Sequence, residues 1–370
     1  MLSLYDLKRI PRTWRTAKIP KKDGGVRTLT IPNDELKELQ SDILQYLYEL
    51  VRQKRLQISA VSHGFMPFHS CLTSVMKHDR ESEIFLCTDM LHAFDLMDPQ
   101  FAAAKLLDAG VSPDYVKEII GACSYNNALP QGGPASPYLL NIAMFDADCE
   151  IAAYAKKHGF LYTRYADDLV FSIKGADSEA LLKLRVNEQR MLEELAKLGD
   201  PPPETATKRK KDKYDKAKEA IQAKYRSKNP FLWFLYGVET ILINTVNMQL
   251  NHKKDHVIFR GSRCKPHILG ISIRQDGKGY NAERKFREDT RAAICNFWRK
   301  IFVDQKGKPT KADKERWSEL KGRVAYCDMV RRASDEDVSN ADPTIQTKYY
   351  NPLERLFTCK KKPKKATKKS

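Results

Sequence analysis

The chain has 370 residues, enough for one large domain or two to three subdomains, and 42% of them are apolar, which can supply a sizeable core. Its 65 Lys and Arg against 47 Asp and Glu leave a formal charge of +18, a balance that suits a polyanionic partner such as nucleic acid. Eight cysteines with no Cys-x-x-Cys pair argue against a zinc knuckle or ribbon, and no apolar run reaches the length of a bilayer span or forms an N-terminal signal peptide, so a reducing cytoplasm is the expected compartment.

Residues 1–20 read as a short helix and a connector ending at Ile19-Pro20. Lys21-Lys22-Asp23-Gly24-Gly25 is a hairpin-turn signal, followed by the alternating, strand-like Val26–Ile31. Pro32-Asn33-Asp34 stops that strand and caps a helix from about Glu35, with Leu36, Leu39, Ile43, Leu44 and Leu47 at helical spacing. Ile84–Thr88 is a short apolar run that reads as a buried strand ending at Asp89. A helix is predicted over 138–157, with Pro137 in its first turn. Tyr162–Arg164 and Leu169–Ile173 are β-prone runs flanking Tyr165-Ala166-Asp167-Asp168, a hairpin with two carboxylates at its tip.

Another helix is predicted over 179–198, broken by Gly199-Asp200-Pro201-Pro202-Pro203. The Lys-rich stretch 205–228 is either a solvated helix or a flexible basic insertion. Residues 250–280 return to strand character, with His267–Ile273 leading into the turn Asp276-Gly277. A basic amphipathic helix follows over 282–302, with Phe286, Ile294, Phe297 and Ile301 on one side. Beyond about 337 the pattern weakens, and the terminal Lys360-Lys361-Lys362-Pro363-Lys364-Lys365 is too charged to pack.

Three acidic residues stand out from these elements. Nucleotidyl transfer uses two divalent ions that clamp the attacking and leaving oxygens of an in-line displacement, and hard Mg²⁺ takes oxygen ligands from one or two carboxylates plus phosphates. Adjacent carboxylates on a tight turn, Asp167 and Asp168, opposed by Asp89 at a neighbouring strand end, could supply such a pair of sites; taken alone, Asp167-Asp168 also fits an ordinary polar turn.

The surrounding motifs extend this reading. Tyr162–Ser172, with Tyr165-Ala166-Asp167-Asp168 at its centre, closely resembles the polymerase signature of bacterial reverse transcriptases. Leu129-Pro130-Gln131-Gly132-Gly133-Pro134-Ala135-Ser136-Pro137 resembles their second signature, and Asp89-Met90-Leu91-His92-Ala93-Phe94 their first. The three occur in the family's order at compatible spacings. Ile19–Arg27, His63-Gly64-Phe65, Asn251-His252-Lys253-Lys254 and residues 268–291 carry the similarity over roughly residues 5–300.

The resemblance implies an α+β right-hand polymerase with fingers, a palm of antiparallel sheet plus helices, and a small helical thumb. It puts fingers and palm in 1–275 with a basic insertion near 200–230, the thumb in 276–336 and a basic tail in 337–370. It implies RNA-directed DNA synthesis on a primer 3′-hydroxyl, with two Mg²⁺ ions held by Asp89, Asp167 and Asp168. Phe94 would lie beneath the incoming sugar and exclude a 2′-hydroxyl, Gln131 and Gly132 would line the nucleotide pocket, and Tyr165 would sit near the primer end. Lys22 and Arg27 are candidates for gripping the triphosphate, and Lys254 for protonating pyrophosphate; a solvated hairpin and a solvated lysine are the alternatives.

The implied partners are an RNA template, which for a retron enzyme is a dedicated structured non-coding RNA, together with a DNA product, deoxynucleoside triphosphates and an effector protein in antiphage defence. No membrane is expected among them. Arg284, Lys285, Arg287, Arg291, Arg299 and Lys300 could track duplex phosphates. Retron enzymes commonly carry Val-Thr-Gly before the thumb where this chain has Ile268-Leu269-Gly270. That departure leaves the polymerase chemistry intact but keeps open a defence-associated reverse transcriptase outside the retrons; an RNA-binding scaffold with a vestigial polymerase site is a separate alternative, against which the intact aspartate trio argues.

Overall fold

A computed structural model of the chain describes residues 3–20, 26–78, 80–174, 187, 190, 191, 193–199, 202, 203, 207–226, 230–260, 266–274, 279–306, 308–332 and 353. The chain divides into two compact units, Met1–Arg260 and Gly261–Ser370.

The first unit opens with α1 (Leu4–Arg9), started by Ser3, whose hydroxyl accepts from Asp6 N. Residues 14–20, expected as a connector, are instead strand β1 (Trp14–Pro20), paired antiparallel with β2 (Val26–Pro32) so that Trp14 faces Pro32 and Pro20 faces Val26. Strand β2 is the one its alternation predicts; β1 is mostly solvent-exposed and needs no apolar alternation to mark it in the sequence. Helix α2 (Asp34–Arg52) starts as expected, with the Asn33 side chain accepting from Leu36 N, and buries Leu36, Leu39, Ile43, Leu47 and Leu50. Helix α3 (Cys71–Lys77) carries a reciprocal cap between Ser70 and Thr73.

Strand β3 (Ile84–Asp89) is buried along its whole length, which explains its unbroken apolar run. A one-turn helix α4 (Ala93–Leu96) follows, then α5 (Pro99–Asp108) and α6 (Pro113–Cys123), each with Pro in its first turn. The helix predicted over 138–157 is two helices, α7 (Ser136–Ala143) and α8 (Phe145–Lys157). They are separated at Met144, whose ψ of 0° departs from the helical value, and no Pro or Gly marks the break. Strands β4 (Leu161–Tyr165) and β5 (Asp168–Ile173) form the predicted hairpin. With β6 (His256–Phe259) they complete an antiparallel sheet of order β4-β5-β3-β6.

Most of the helix predicted over 179–198 lies outside the described residues; 187, 190, 191 and 193–197 are helical. The Lys-rich stretch is α9 (Lys208–Arg226), the solvated helix of the two alternatives. Helix α10 (Pro230–Val246) was not anticipated. Its sequence is apolar on nearly every face, so no 3.6-residue period marks it. It packs on α8 and the sheet through Phe234, whose ring lies 4.4 Å from Phe160, 5.1 Å from Tyr154 and 5.0 Å edge-on from Phe171.

The second unit contains a small antiparallel sheet of β7 (His267–Ile268), β8 (Ile271–Ile273) and β9 (Tyr280–Ala282). The boundary expected at 275/276 falls inside this unit, between β8 and β9. Helix α11 (Arg284–Arg299) runs into a π-helical turn, Lys300–Asp304, and α12 (Lys311–Arg332) packs back over a core of Ile294, Phe297, Ile301, Trp317 and Leu320. The basic tail, 337–370, lies outside the described residues apart from Leu353. The described residues thus form an α+β fold in which helices pack on antiparallel sheet. Among them, no helix is long and apolar enough to cross a membrane.

Candidate active site

The three aspartates are brought together by strand register. Asp89 is the last residue of β3 and Asp168 the first of β5, and the two are direct antiparallel partners. Tyr165, the last residue of β4, is the partner of Asp168 on its other side. The two-residue link Ala166-Asp167 closes the hairpin with Ala166 at φ +58°, and Met90 N donates to the Asp167 carbonyl at 2.9 Å. That bond ties the tip of the hairpin to the end of β3.

The turn Asn251–Lys254 closes over the same strand end. Asn251 N donates to the Asp89 carbonyl at 2.8 Å, and Lys254 Nζ donates to Asp89 Oδ2 at 2.5 Å. The turn is held by His252, whose ring bonds Asp255 Oδ2 at 2.6 Å and Glu239 Oε2 at 2.8 Å. Asp255 in turn accepts from the Thr88 hydroxyl at 2.6 Å. Desolvation alone would lower the His252 pKa; the bonds to Glu239 and Asp255 outweigh it and the net direction is up, which favours the imidazolium between two carboxylates.

The electrostatics of the aspartates are those of a crowded acidic site. Burial raises the pKa of Asp167, with Asp89 adding to the rise and Lys254 and Arg27 opposing it. Asp168 is exposed by surface area, yet surrounding protein and its two carboxylate neighbours push its pKa up to about 6. Lys254 is raised, first by its hydrogen bond to Asp89. Asp89 Oδ1 is buried and has no hydrogen-bond partner. Among the described residues no three carboxylate, thiol or imidazole side chains are already drawn to a common ligating point. The donor chemistry nevertheless fits a hard divalent cation: three carboxylates share one strand end, one buried oxygen is bare, and charge is left uncompensated.

The other expected residues distribute as follows. Arg27 is an exposed residue of β2 and its charge acts on Asp167. Gln131 and Gly132 lie against the same strand, where Thr30 N donates to the Gln131 carbonyl at 3.0 Å. At Gly132, φ is +138° and a Cβ would stand 2.7 Å from the Thr30 carbonyl oxygen, so the backbone itself demands glycine there. Phe94 sits half-buried in α4, just after the end of β3, packed against the core. Tyr165 is half-buried, its ring 6.4 Å from Phe65. Lys22 lies outside the described residues.

Sequence reasoning missed the support beneath the hairpin, formed by Arg164, Asp148 and Asn141, and the closeness of Gly64, where a Cβ would stand 2.3 Å from Ala166 N. The available signal was Asn141, a polar residue inside the otherwise apolar run Tyr138–Phe145; Asp148, between Asp146 and Glu150, carried none.

Residues 19–199 match the family model for reverse transcriptase (RNA-dependent DNA polymerase). The chain is 26% identical over 333 residues to the retron Mx162 reverse transcriptase of Myxococcus xanthus, covering 84% of this chain and 56% of that protein. It is 34% identical over 167 residues to the retron Ec86 reverse transcriptase of Escherichia coli, covering 43% of this chain and 48% of that protein. Among solved structures, apo telomerase from Candida tropicalis is similar at a TM-score of 0.42 and 12% identity, covering 93% of this chain and 60% of that one. Residues 19–199 thus match a reverse transcriptase domain, and the relatives with which the chain aligns are bacterial retron reverse transcriptases. It spans about half the length of the curated relatives it matches.

Proposed function

We propose that the protein is an RNA-directed DNA polymerase that adds deoxynucleotides to a primer 3′-hydroxyl and releases pyrophosphate. The observation that carries this reading is the direct pairing of Asp89 with Asp168 beside the Asp167 turn, with Asp89 Oδ1 buried and bare. Asp89, Asp167 and Asp168 are the residues that would hold two Mg²⁺ ions, which when bound would activate the primer hydroxyl and offset the charge developing on the phosphates.

The chain's own side chains divide the remaining work. Lys254 neutralises Asp89 in the cation-free protein, and in the loaded site its ammonium faces the phosphates, where it can deliver a proton to pyrophosphate. Arg27 lends positive charge on the β2 side, where the triphosphate would enter, and Lys22 precedes it in the hairpin. Phe94 presents a ring after the strand end, where a ribose 2′-hydroxyl would clash with it. Tyr165 lies by the primer end, and the Gln131-Gly132 turn forms the floor for the incoming base pair. The first unit serves as fingers and palm; the second, with basic residues along α11, serves as the thumb that tracks duplex phosphates.

The template is RNA, read in a bacterial cytoplasm, and the retron relatives favour a structured non-coding RNA and an antiphage role with an effector protein. Asp167→Asn with Asp168→Asn tests the assignment: Mg²⁺-dependent primer extension on an RNA template is expected to vanish while RNA binding persists. Extension at the wild-type rate by that variant overturns the site. Absence of extension by the wild type on any RNA leaves the scaffold reading instead.

A further inference from the structure

Arg164 is fully buried two residues before the Ala166-Asp167 tip, and four side-chain hydrogen bonds fix it. Its Nε and Nη2 donate to the two oxygens of Asp148 at 2.9 and 2.7 Å, the bidentate fork that pins a guanidinium in one plane. Its Nη1 donates to Asn141 Oδ1 at 3.0 Å and to the Ala166 carbonyl at 2.8 Å. That carbonyl belongs to the peptide linking Ala166 to Asp167, so the guanidinium grips the plane from which the first carboxylate of the pair hangs. Asn141 joins a third segment: its Oδ1 also accepts from the Ser62 hydroxyl at 2.8 Å, and its Nδ2 donates to the Gly64 carbonyl at 2.8 Å. Gly64 presses directly on Ala166 N.

A buried ion pair is a costly way to obtain stability, because desolvation offsets most of the attraction, and apolar residues of similar size often do as well. The orientation of the bonds points to another use. Ala166 has φ +58°, a conformation that favours glycine, and its carbonyl would otherwise lose its partner in the protein interior. We propose that Arg164, oriented by Asp148 and Asn141, is a positioning residue that fixes the Ala166–Asp167 peptide and thereby sets where the Asp167 carboxylate stands for a divalent cation. This inference rests on the polymerase reading of the same site. It adds that the cation geometry is dictated from beneath the sheet rather than by the hairpin alone.

The test separates support of the fold from support of the carboxylate. In Arg164→Met, Asp148→Leu, Tyr162→Phe the ion pair and the Tyr162 hydroxyl bonded to Asp148 are removed together, so no charge is stranded. Asn141 Oδ1 loses the Arg164 donor but keeps Ser62, so only the Ala166 carbonyl is deprived of the bond that held it. The variant is expected to unfold near the wild-type temperature and to bind RNA normally. It is expected to bind Mn²⁺, followed by electron paramagnetic resonance, at least tenfold more weakly, with kcat for primer extension down at least a hundredfold and KM for the template unchanged. Arg164→Lys serves if the triple variant does not fold: a single ammonium can hold Asp148 but cannot also reach Asn141 and Ala166, and the same loss of Mn²⁺ affinity is expected. Wild-type Mn²⁺ affinity in a folded variant overturns the proposal while leaving the polymerase reading intact. Weakened Mn²⁺ binding together with a wild type that extends no primer does the reverse. A wild type that binds no Mn²⁺ removes both.

Discussion

Asp168→Asn should stabilise the protein in the absence of divalent cations while abolishing its activity. The rise of the Asp168 pKa from 3.8 to about 6 means that its ionised form is unfavourable in the folded state. The sign follows by linkage: below about pH 3.8 the group is protonated folded and unfolded, and no penalty exists. As pH rises toward 6 the unfolded chain ionises more readily, folded stability falls, and above about 6 the penalty is present in full. At 1.36 kcal/mol per pKa unit the unscreened cost approaches about 3 kcal/mol. Asp168 is solvent-exposed, so screening reduces that to roughly 1 kcal/mol. For a unit of this size about 1 kcal/mol corresponds to roughly 2–4 °C in Tm. The assay is thermal unfolding at pH 7.5 in EDTA, with and without an excess of Mg²⁺. The Asn variant should melt higher in EDTA, and the gap should close or invert once Mg²⁺ neutralises the wild-type cluster. An Asn variant that melts at or below wild type in EDTA would refute the crowded-carboxylate account.

Gly64→Ala places a Cβ 2.3 Å from Ala166 N, backbone against backbone, so the hairpin tip must move. A displacement on the order of 1 Å is expected to cost about a hundredfold in kcat by primer-extension kinetics, with RNA affinity retained. Phe94→Ala should lower discrimination against ribonucleotides by at least about tenfold, roughly 1.4 kcal/mol, in single-nucleotide incorporation assays; an unchanged ratio would remove Phe94 from sugar selection.

What the sequence revealed and what it concealed follow from two kinds of constraint. The meeting of Asp89, Asp167 and Asp168 was legible because their strands dictate place: a run buried on both faces before Asp89, and β-prone runs around a two-residue link. The ribbon β1–β2 was half legible, since its turn and the alternation of β2 announce themselves but the solvated β1 carries no such pattern. Helix α10 was hidden for the opposite reason, being apolar all round. The support under the candidate site was hidden more deeply. Arg164 reads in sequence as one polar residue in a strand and Asp148 as one acid on a helix; only the packing of α8 against β4 makes them a pair, and only a left-handed Ala166 turns a carbonyl toward them. Gly132 shows the same limit at a residue the sequence did identify. Its expected place is in the lining of a nucleotide pocket, whereas the nearest demand for glycine comes from the Thr30 carbonyl of the chain itself. Residue type at a reacting centre is set by chemistry that any sequence must display, but the geometry that aims it is set by tertiary neighbours, and those leave only a polar residue in an apolar stretch as their trace.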